Sequence, residues 1–323
     1  MSGSANTPLL EVRDLGVQLN TSRGPARAVR GVSFALKRGE TFGLVGESGC
    51  GKSVTALALM GLLPESAVIS GSIRLDGSEL IGLSDANYGK LRGNRISMIF
   101  QEPMTALNPM HTIGRQVAEP LRRHTNCSAA EARKEAIALL DRVGLPDAAR
   151  RVDAYPHQFS GGQRQRVTIA MALACQPDVL IADEPTTALD VTVQAQIVAL
   201  LKELRERLGL ALLFITHNLD LMSQACDRAI VLYGGMLMEE APVAALFGSP
   251  RQPYTRALLA CVPRLSDPPG QISSIDGSPP VAGRLGPGCP FVPRCPLRIE
   301  QCDARPPEHA SVSRRVACWR AEA

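Results

Sequence analysis

Thr41-Phe-Gly-Leu-Val45 runs directly into Gly46-Glu-Ser-Gly-Cys-Gly-Lys52-Ser53, and Val54-Thr-Ala-Leu-Ala-Leu-Met-Gly-Leu-Leu63 comes next. The first five residues read as a buried strand, and the last ten carry a helical pattern. The spacing between them, G-x-x-x-x-G-K-S, is that of a phosphate-binding loop joining a strand to a helix. Gly46, Gly49 and Gly51 let the backbone N–H groups around Ser48 and Cys50 curl about phosphate oxygens without Cβ interference, and the helix adds its positive N-terminal end. Lys52 is then expected to reach the β- and γ-phosphates of a nucleotide, and the Ser53 hydroxyl to ligate Mg²⁺. At ordinary glycine content the bare pattern arises by chance in roughly one chain in a hundred of this length. Partner motifs therefore decide its weight.

One partner is Val179-Leu-Ile-Ala-Asp183-Glu184, an apolar strand ending in two carboxylates. Beside a phosphate-binding loop, such a strand end is where the metal and the attacking water are held. Asp183 is accordingly assigned to the Mg²⁺ shell and Glu184 to polarising the water as general base. Ile96–Phe100 and Leu212–Thr216 are two further short apolar runs. With Thr41–Val45 and Val179–Ala182 they predict buried strands alternating with helices, an α/β class with a parallel sheet. Ser128-Ala-Ala-Glu131 is a capping-box pattern opening a helix with Ala136, Ile137, Leu140 and Val143 inward. A second helix, about Val193 to Leu208, places Ile197, Leu200, Leu201, Leu204 and Leu208 on one face.

Composition narrows the class. In 323 residues, 45% hydrophobic and 20% charged, there is enough apolar material for a substantial core, which excludes disorder and collagen-like repetition. A net charge of +4, with no basic run, argues against an extended nucleic-acid footprint. The longest apolar stretch, Leu208–Thr216, falls well short of the ~20 residues a bilayer helix needs. The start, MSGSANTPLL, lacks the pattern of a secretory signal. A cytosolic chain is expected, and in that reducing compartment its nine cysteines are expected as thiols or metal ligands. Thirteen of the 24 prolines and five of the cysteines lie in residues 250–323, which predicts a loop-rich tail.

Beyond these patterns the chain resembles the nucleotide-binding subunit of an ABC transporter. Phe159-Ser160-Gly161-Gly162-Gln163 is similar to the ABC signature, with Phe where Leu is usual. Gln101 comes after a strand as the Q-loop does, Ala188-Leu189-Asp190 is similar to the D-loop, and His217 after Leu212–Thr216 to the H-loop. The resemblance implies a P-loop NTPase core with a RecA-like subdomain, a helical signature subdomain and an N-terminal antiparallel β subdomain. It places the ATPase domain at 8–250, with the helical part at about 103–175, and an extension at 251–323. It also implies that Ser160, Gly161, Gly162 and Gln163, with Asp190, face ATP bound by a second subunit. His217 would hold the γ-phosphate and Gln101 would report the γ-phosphate or Mg²⁺ to the loop Glu102–Met110. The position of the usual adenine-stacking aromatic is taken by Leu19, and no Tyr, Phe or Trp precedes Phe34.

Pro253-Tyr-Thr-Arg-Ala-Leu-Leu259, Gln101-Glu-Pro-Met-Thr-Ala-Leu-Asn-Pro109 and the segment GCPFVPRCPLRIEQC (288–302) are similar to the ATPase subunits of oligopeptide/dipeptide-type importers. That resemblance implies ATP-driven uptake of peptides or a similar small solute, at the cytoplasmic face of the membrane. The implied partners are a paralogous ATPase, two permease subunits and an extracytoplasmic solute-binding protein. Cys289, Cys295, Cys302 and Cys318 suggest a tail organised by metal. The resemblance favours a 4Fe-4S iron–sulfur cluster, with zinc as the alternative. Serine at any one of these cysteines is expected to leave ATP binding at Lys52 intact, because the P-loop belongs to the α/β core. A soluble or exporter-type ABC ATPase is the rival reading. It is disfavoured by the PYTRALL phrase, by a single P-loop and signature, and by the short stretch, 54 to 159, between Ser53 and Ser160.

Overall fold

The computed structural model describes residues 7–22, 24–102, 106–187, 189–262, 274–280, 283 and 285–321. In chain order its strands are β1 (Leu10–Thr21), β2 (Gly24–Leu36), β3 (Thr41–Val45), β4 (Val68–Leu75), β5 (Ser78–Glu79), β6 (Ile96–Ile99), β7 (Val179–Asp183), β8 (Ala211–Thr216), β9 (Arg228–Tyr233), β10 (Met236–Pro242), β11 (Glu308–Ala310) and β12 (Arg315–Ala317). The chain packs as two compact units: Met1–Leu36, Thr41–Ile81 and Ile215–Ala323 form one, Lys37–Glu40 and Gly82–Phe214 the other.

The first unit holds an antiparallel sheet in the order β2-β1-β4-β5. Leu10, Val12, Leu15 and Val17 of β1 and Val29, Val32, Phe34 and Leu36 of β2 supply its buried face. This is the expected antiparallel β subdomain. The same unit holds strands in the order β11-β12-β10-β9-β3, with β3 parallel to β9 and the other pairs antiparallel. Every residue of β3 is buried, which is why it reads as an unbroken apolar run rather than an alternating one.

The proline-rich tail joins this unit. Its described residues hold little regular structure, yet β12 pairs with β10 through Glu239↔Val316 and Glu240↔Arg315. Arg315 and Arg228 both form ion pairs with Glu240, and Glu239 accepts the backbone N–H groups of Arg251 and Gln252. Among its described residues the strands β11 and β12 are three residues each, as a proline-dense sequence allows. Pro253 opens the helix Pro253–Ala260 at a position where its missing N–H costs nothing.

In the second unit the strand order is β8-β7-β6, with β6 and β7 parallel and all their residues buried. The helices Ile113–His124, Ala129–Arg142, Ala148–Arg151 and Gly161–Ala172 lie in the chain between β6 and β7. The capping box expected at Ser128 is present: Ser128 Oγ accepts from the Glu131 N–H, and Glu131 Oε2 accepts from the Ser128 N–H. Ala136, Leu140 and Val143 are buried with Ala132 and Leu139, whereas Ile137 is half-buried. The long helix Val191–Leu208 buries Ile197, Val198, Leu200, Leu201 and Leu204. Leu208 is only half-buried, since the helix stops at Gly209 in the left-handed conformation.

Candidate nucleotide site

Residues 46–53 leave β3 and enter the helix Lys52–Leu59 as the spacing predicts. Two glycines are forced. A Cβ on Gly46 (φ 155°) would lie 2.2 Å from the Leu232 carbonyl oxygen, and one on Gly51 (φ 103°) would lie 2.6 Å from that of Ala28. Lys52 is only 5% exposed. Its Nζ donates to the carbonyl oxygens of Gly46 at 2.7 Å and Glu47 at 3.1 Å, so the ammonium sits inside the curl of the loop. Cys50 is buried beside it, and burial pushes its thiol above the ordinary value despite the neighbouring ammonium. Cys50 is thus a packing residue, less open to thiol reagents than its position in the loop suggests.

Glu47 stands at an unspecified position of the loop pattern and carries no signal in the sequence, yet it is held at three points. Its N–H donates to the Tyr254 hydroxyl at 3.0 Å, and its two carboxylate oxygens accept from Arg294 at 2.7 and 3.2 Å. Leu19, also in the first unit, lies half-buried on β1 opposite Ala26 of β2. His217 is exposed just beyond β8.

The second unit brings another set together. Asp183 ends β7 and is 3% exposed, and Glu184 comes next with φ 47°, a left-handed conformation that a non-glycine residue adopts at a cost. Gln101 Nε2 donates to Glu184 Oε2 at 3.1 Å, and Thr187 Oγ1 donates to the same oxygen at 3.1 Å. Thr187 carries no motif in the sequence. Its role arises only from the turn after β7.

Ser160 caps the helix Gly161–Ala172, its Oγ accepting from the Gln163 N–H while Gln163 Oε1 accepts from the Ser160 N–H. A Cβ on Gly162 would lie 2.7 Å from Val193 Cγ1, and one on Gly161 3.3 Å from Leu189 Cδ2. These glycines thus permit close approach of the next helix as well as an open N-terminus. Phe159, the departure from the usual Leu, is buried under the guanidinium of Arg151, 4.2 Å from its ring centroid. Arg151 also donates to Gln163 Oε1 at 3.3 Å, so the aromatic ring ties the signature to the neighbouring helix. Asp190 caps the helix Val191–Leu208 through the Val193 N–H at 2.9 Å. Ala188, and residues 103–105 of the loop after Gln101, lie outside the described residues.

In the tail, Cys289, Cys295, Cys302 and Cys318 line one small gap of about 20 Å³ with Phe291, Leu297 and Trp319. All are free thiols, and burial with the other three cysteines pushes Cys289 up to about 11. Among the described residues no group of three or more His, Cys, Asp or Glu side chains is placed to hold a metal ion. The four thiols of the expected metal centre line one gap without forming such a group.

Fold and loop together define an ATP-binding cassette. Residues 29–187 match the family described as ABC transporter, and residues 238–302 match the oligopeptide/dipeptide transporter C-terminal region. The dipeptide transport ATP-binding protein DppD of Bacillus subtilis is 50% identical over 96% of this chain and 94% of its own. The oligopeptide transport ATP-binding protein OppD of Escherichia coli is 49% identical over 97% and 93%. A dimeric ATP-binding cassette solved in a post-hydrolysis state with ADP and Pi superposes with a TM-score of 0.65 at 30% identity, over 72% of this chain and 98% of that one. The chain belongs to the ABC transporter ATP-binding subunits of the oligopeptide/dipeptide type. It is an ATP-hydrolysing subunit of an ABC importer, and no helix among its described residues is long and apolar enough to cross a membrane.

Proposed function

We propose that this subunit couples ATP binding and hydrolysis to the uptake of di- or oligopeptides, or a similar small solute, through two separate permease subunits. A peripheral place on the cytoplasmic face, a paralogous ATPase sharing the ATP sites, and an extracytoplasmic solute-binding protein complete the assembly. The observation that carries the reading is the match of residues 238–302 to the oligopeptide/dipeptide C-terminal region, beside near-full-length relatives named for peptide transport. An open cavity of about 660 Å³ in the second unit, lined by Ala106, Asn108, His111, Gln116 and Glu119 among others, supports a permease contact beside the loop after Gln101.

In this reading the N–H groups of residues 46–53, including Gly46, Ser48, Gly49, Cys50 and Gly51, bind the phosphates with Lys52. Leu19 packs on the adenine. Ser160, Gly161, Gly162 and Gln163, with Asp190, face the nucleotide of the partner ATPase, while His217 orients the γ-phosphate. Ser53, Asp183 and Gln101 offer hard oxygen donors that suit Mg²⁺, which when bound neutralises phosphate charge. Glu184 takes the proton of the attacking water. The hydrogen bonds from Gln101 and Thr187 that hold its carboxylate support this role.

Transporter assembled in vesicles with its permeases and solute-binding protein should accumulate labelled peptides only with ATP, and peptide should raise the ATPase rate. Hydrolysis indifferent to every peptide, with no uptake, would overturn the peptide reading. For the tail, a 4Fe-4S cluster is proposed, zinc being the alternative. The support is the convergence of four thiols on one gap. Anaerobically purified protein should then be brown, with iron and acid-labile sulfide in near-equal amounts. Colourless protein with zinc would favour the alternative, and metal-free protein would remove both.

A further inference from the structure

We propose that Arg294, from the cysteine-rich tail, is a positioning residue of the phosphate-binding loop, so that the tail sets the ATP affinity of the subunit. This rests on reading residues 46–53 as that loop. Glu47 places a carboxylate in a segment whose task is to bind a polyanion, which is unfavourable unless the charge is neutralised. Arg294 neutralises it with two parallel hydrogen bonds, the geometry that fits a guanidinium to a carboxylate. The two residues are 247 positions apart in the chain.

The guanidinium is fixed on every side. Its side chain is 4% exposed, and all five of its donors are used. Beyond the two bonds to Glu47, Nη1 donates to the Tyr233 hydroxyl at 3.0 Å, Nη2 to the Ile275 carbonyl at 3.0 Å and Nε to the Asp276 carbonyl at 2.8 Å. Tyr233, Tyr254 and Phe291 pack as a fully buried trio, with ring centroids 4.4 to 5.4 Å apart. From this trio Tyr254 reaches the Glu47 N–H. One tail element therefore grips the carboxylate of Glu47 while another grips its backbone.

The backbone of Arg294 is set by its neighbours. It lies in the tight turn Val292–Arg294, where the Val292 N–H donates to the Cys289 carbonyl and the Cys295 N–H to the Val292 carbonyl. The turn that carries the arginine is thus bracketed by two of the four cysteines.

The test uses the full-length chain, with equilibrium Mg-ATP binding and steady-state hydrolysis in the assembled transporter. Arg294→Met should weaken ATP about tenfold, as expected for loss of hydrogen bonds to a charged group, raising KM while kcat stays within about twofold. Arg294→Lys, which keeps the charge but not the fork, should fall between. Adding Glu47→Gln to Arg294→Met should recover most of the affinity, because the unneutralised carboxylate is then gone. General damage to folding would lower kcat and would not be rescued by the second substitution. If Arg294→Lys and Arg294→Met both bind ATP as the wild type does while Lys52→Ala does not, the positioning role is overturned and the loop reading stands. If Lys52→Ala also binds normally, the loop reading itself fails.

Discussion

Gln101 and Glu184 are joined by a hydrogen bond of 3.1 Å, from the Gln101 amide to Oε2 of the carboxylate, and the Thr187 hydroxyl meets the same oxygen. The glutamine that opens the loop toward the proposed permease contact is thus in direct touch with the proposed base. Displacing Gln101 would remove one of these two hydrogen bonds to Glu184.

Glu184→Gln should abolish turnover while ATP remains bound. The amide oxygen still accepts from Gln101 and Thr187, so the shape of the turn persists, but it cannot take a proton from water. Loss of a general base is worth about 10²- to 10⁴-fold. Single-turnover hydrolysis in the assembled transporter measures it, and a rate within a few-fold of wild type would exclude Glu184 as base.

Lys52→Ala is expected to weaken Mg-ATP binding at least tenfold, through loss of a charged contact to phosphate. It should also lower the melting temperature, because Nζ holds two carbonyls of the loop. Equilibrium binding and thermal unfolding read the two effects separately. An unchanged ATP affinity would contradict the assignment of the loop.

Leu19→Tyr or Leu19→Phe should tighten ATP by about 1 kcal/mol. The half-buried Leu19 pairs with Ala26 across β1 and β2, so a ring meets a small cross-strand neighbour there. Affinities for ATP and GTP in both variants decide the matter. No gain for either nucleotide would place the adenine contact elsewhere.

Cys50 should be alkylated far more slowly in the native chain than in urea between pH 7 and 9, since burial holds its thiol above the ordinary value of 9.0. The neutral form is favoured by the fold, so its contribution to stability is complete below that value and declines as pH rises past it, where the unfolded thiol ionises first. Rates with a neutral maleimide, tracked by peptide mapping, test this. Equal rates in native and denatured protein would show that the loop opens freely.

Local pattern alone determined much of this protein. The run Thr41–Ser53 specifies strand, turn and helix because its glycines and apolar residues act over a few bonds. The same holds for the Ser128 and Ser160 capping boxes, where a hydroxyl and a carboxyl or amide three residues later close on one another. Residues 179–184 likewise announce a buried strand ending in acid. Tertiary structure alone decided the rest. Thr187 turns onto Glu184, Arg151 covers Phe159, and Val193 fills the space that Gly162 leaves, all through contacts with no periodic signature. The tail shows the difference most clearly. Nothing in its sequence points to the phosphate-binding loop, yet Arg294 and Tyr254 close on Glu47. A buried ion pair depends on where the chain returns in space, and β12, by pairing with β10 in the same compact unit, helps bring the tail back to the loop.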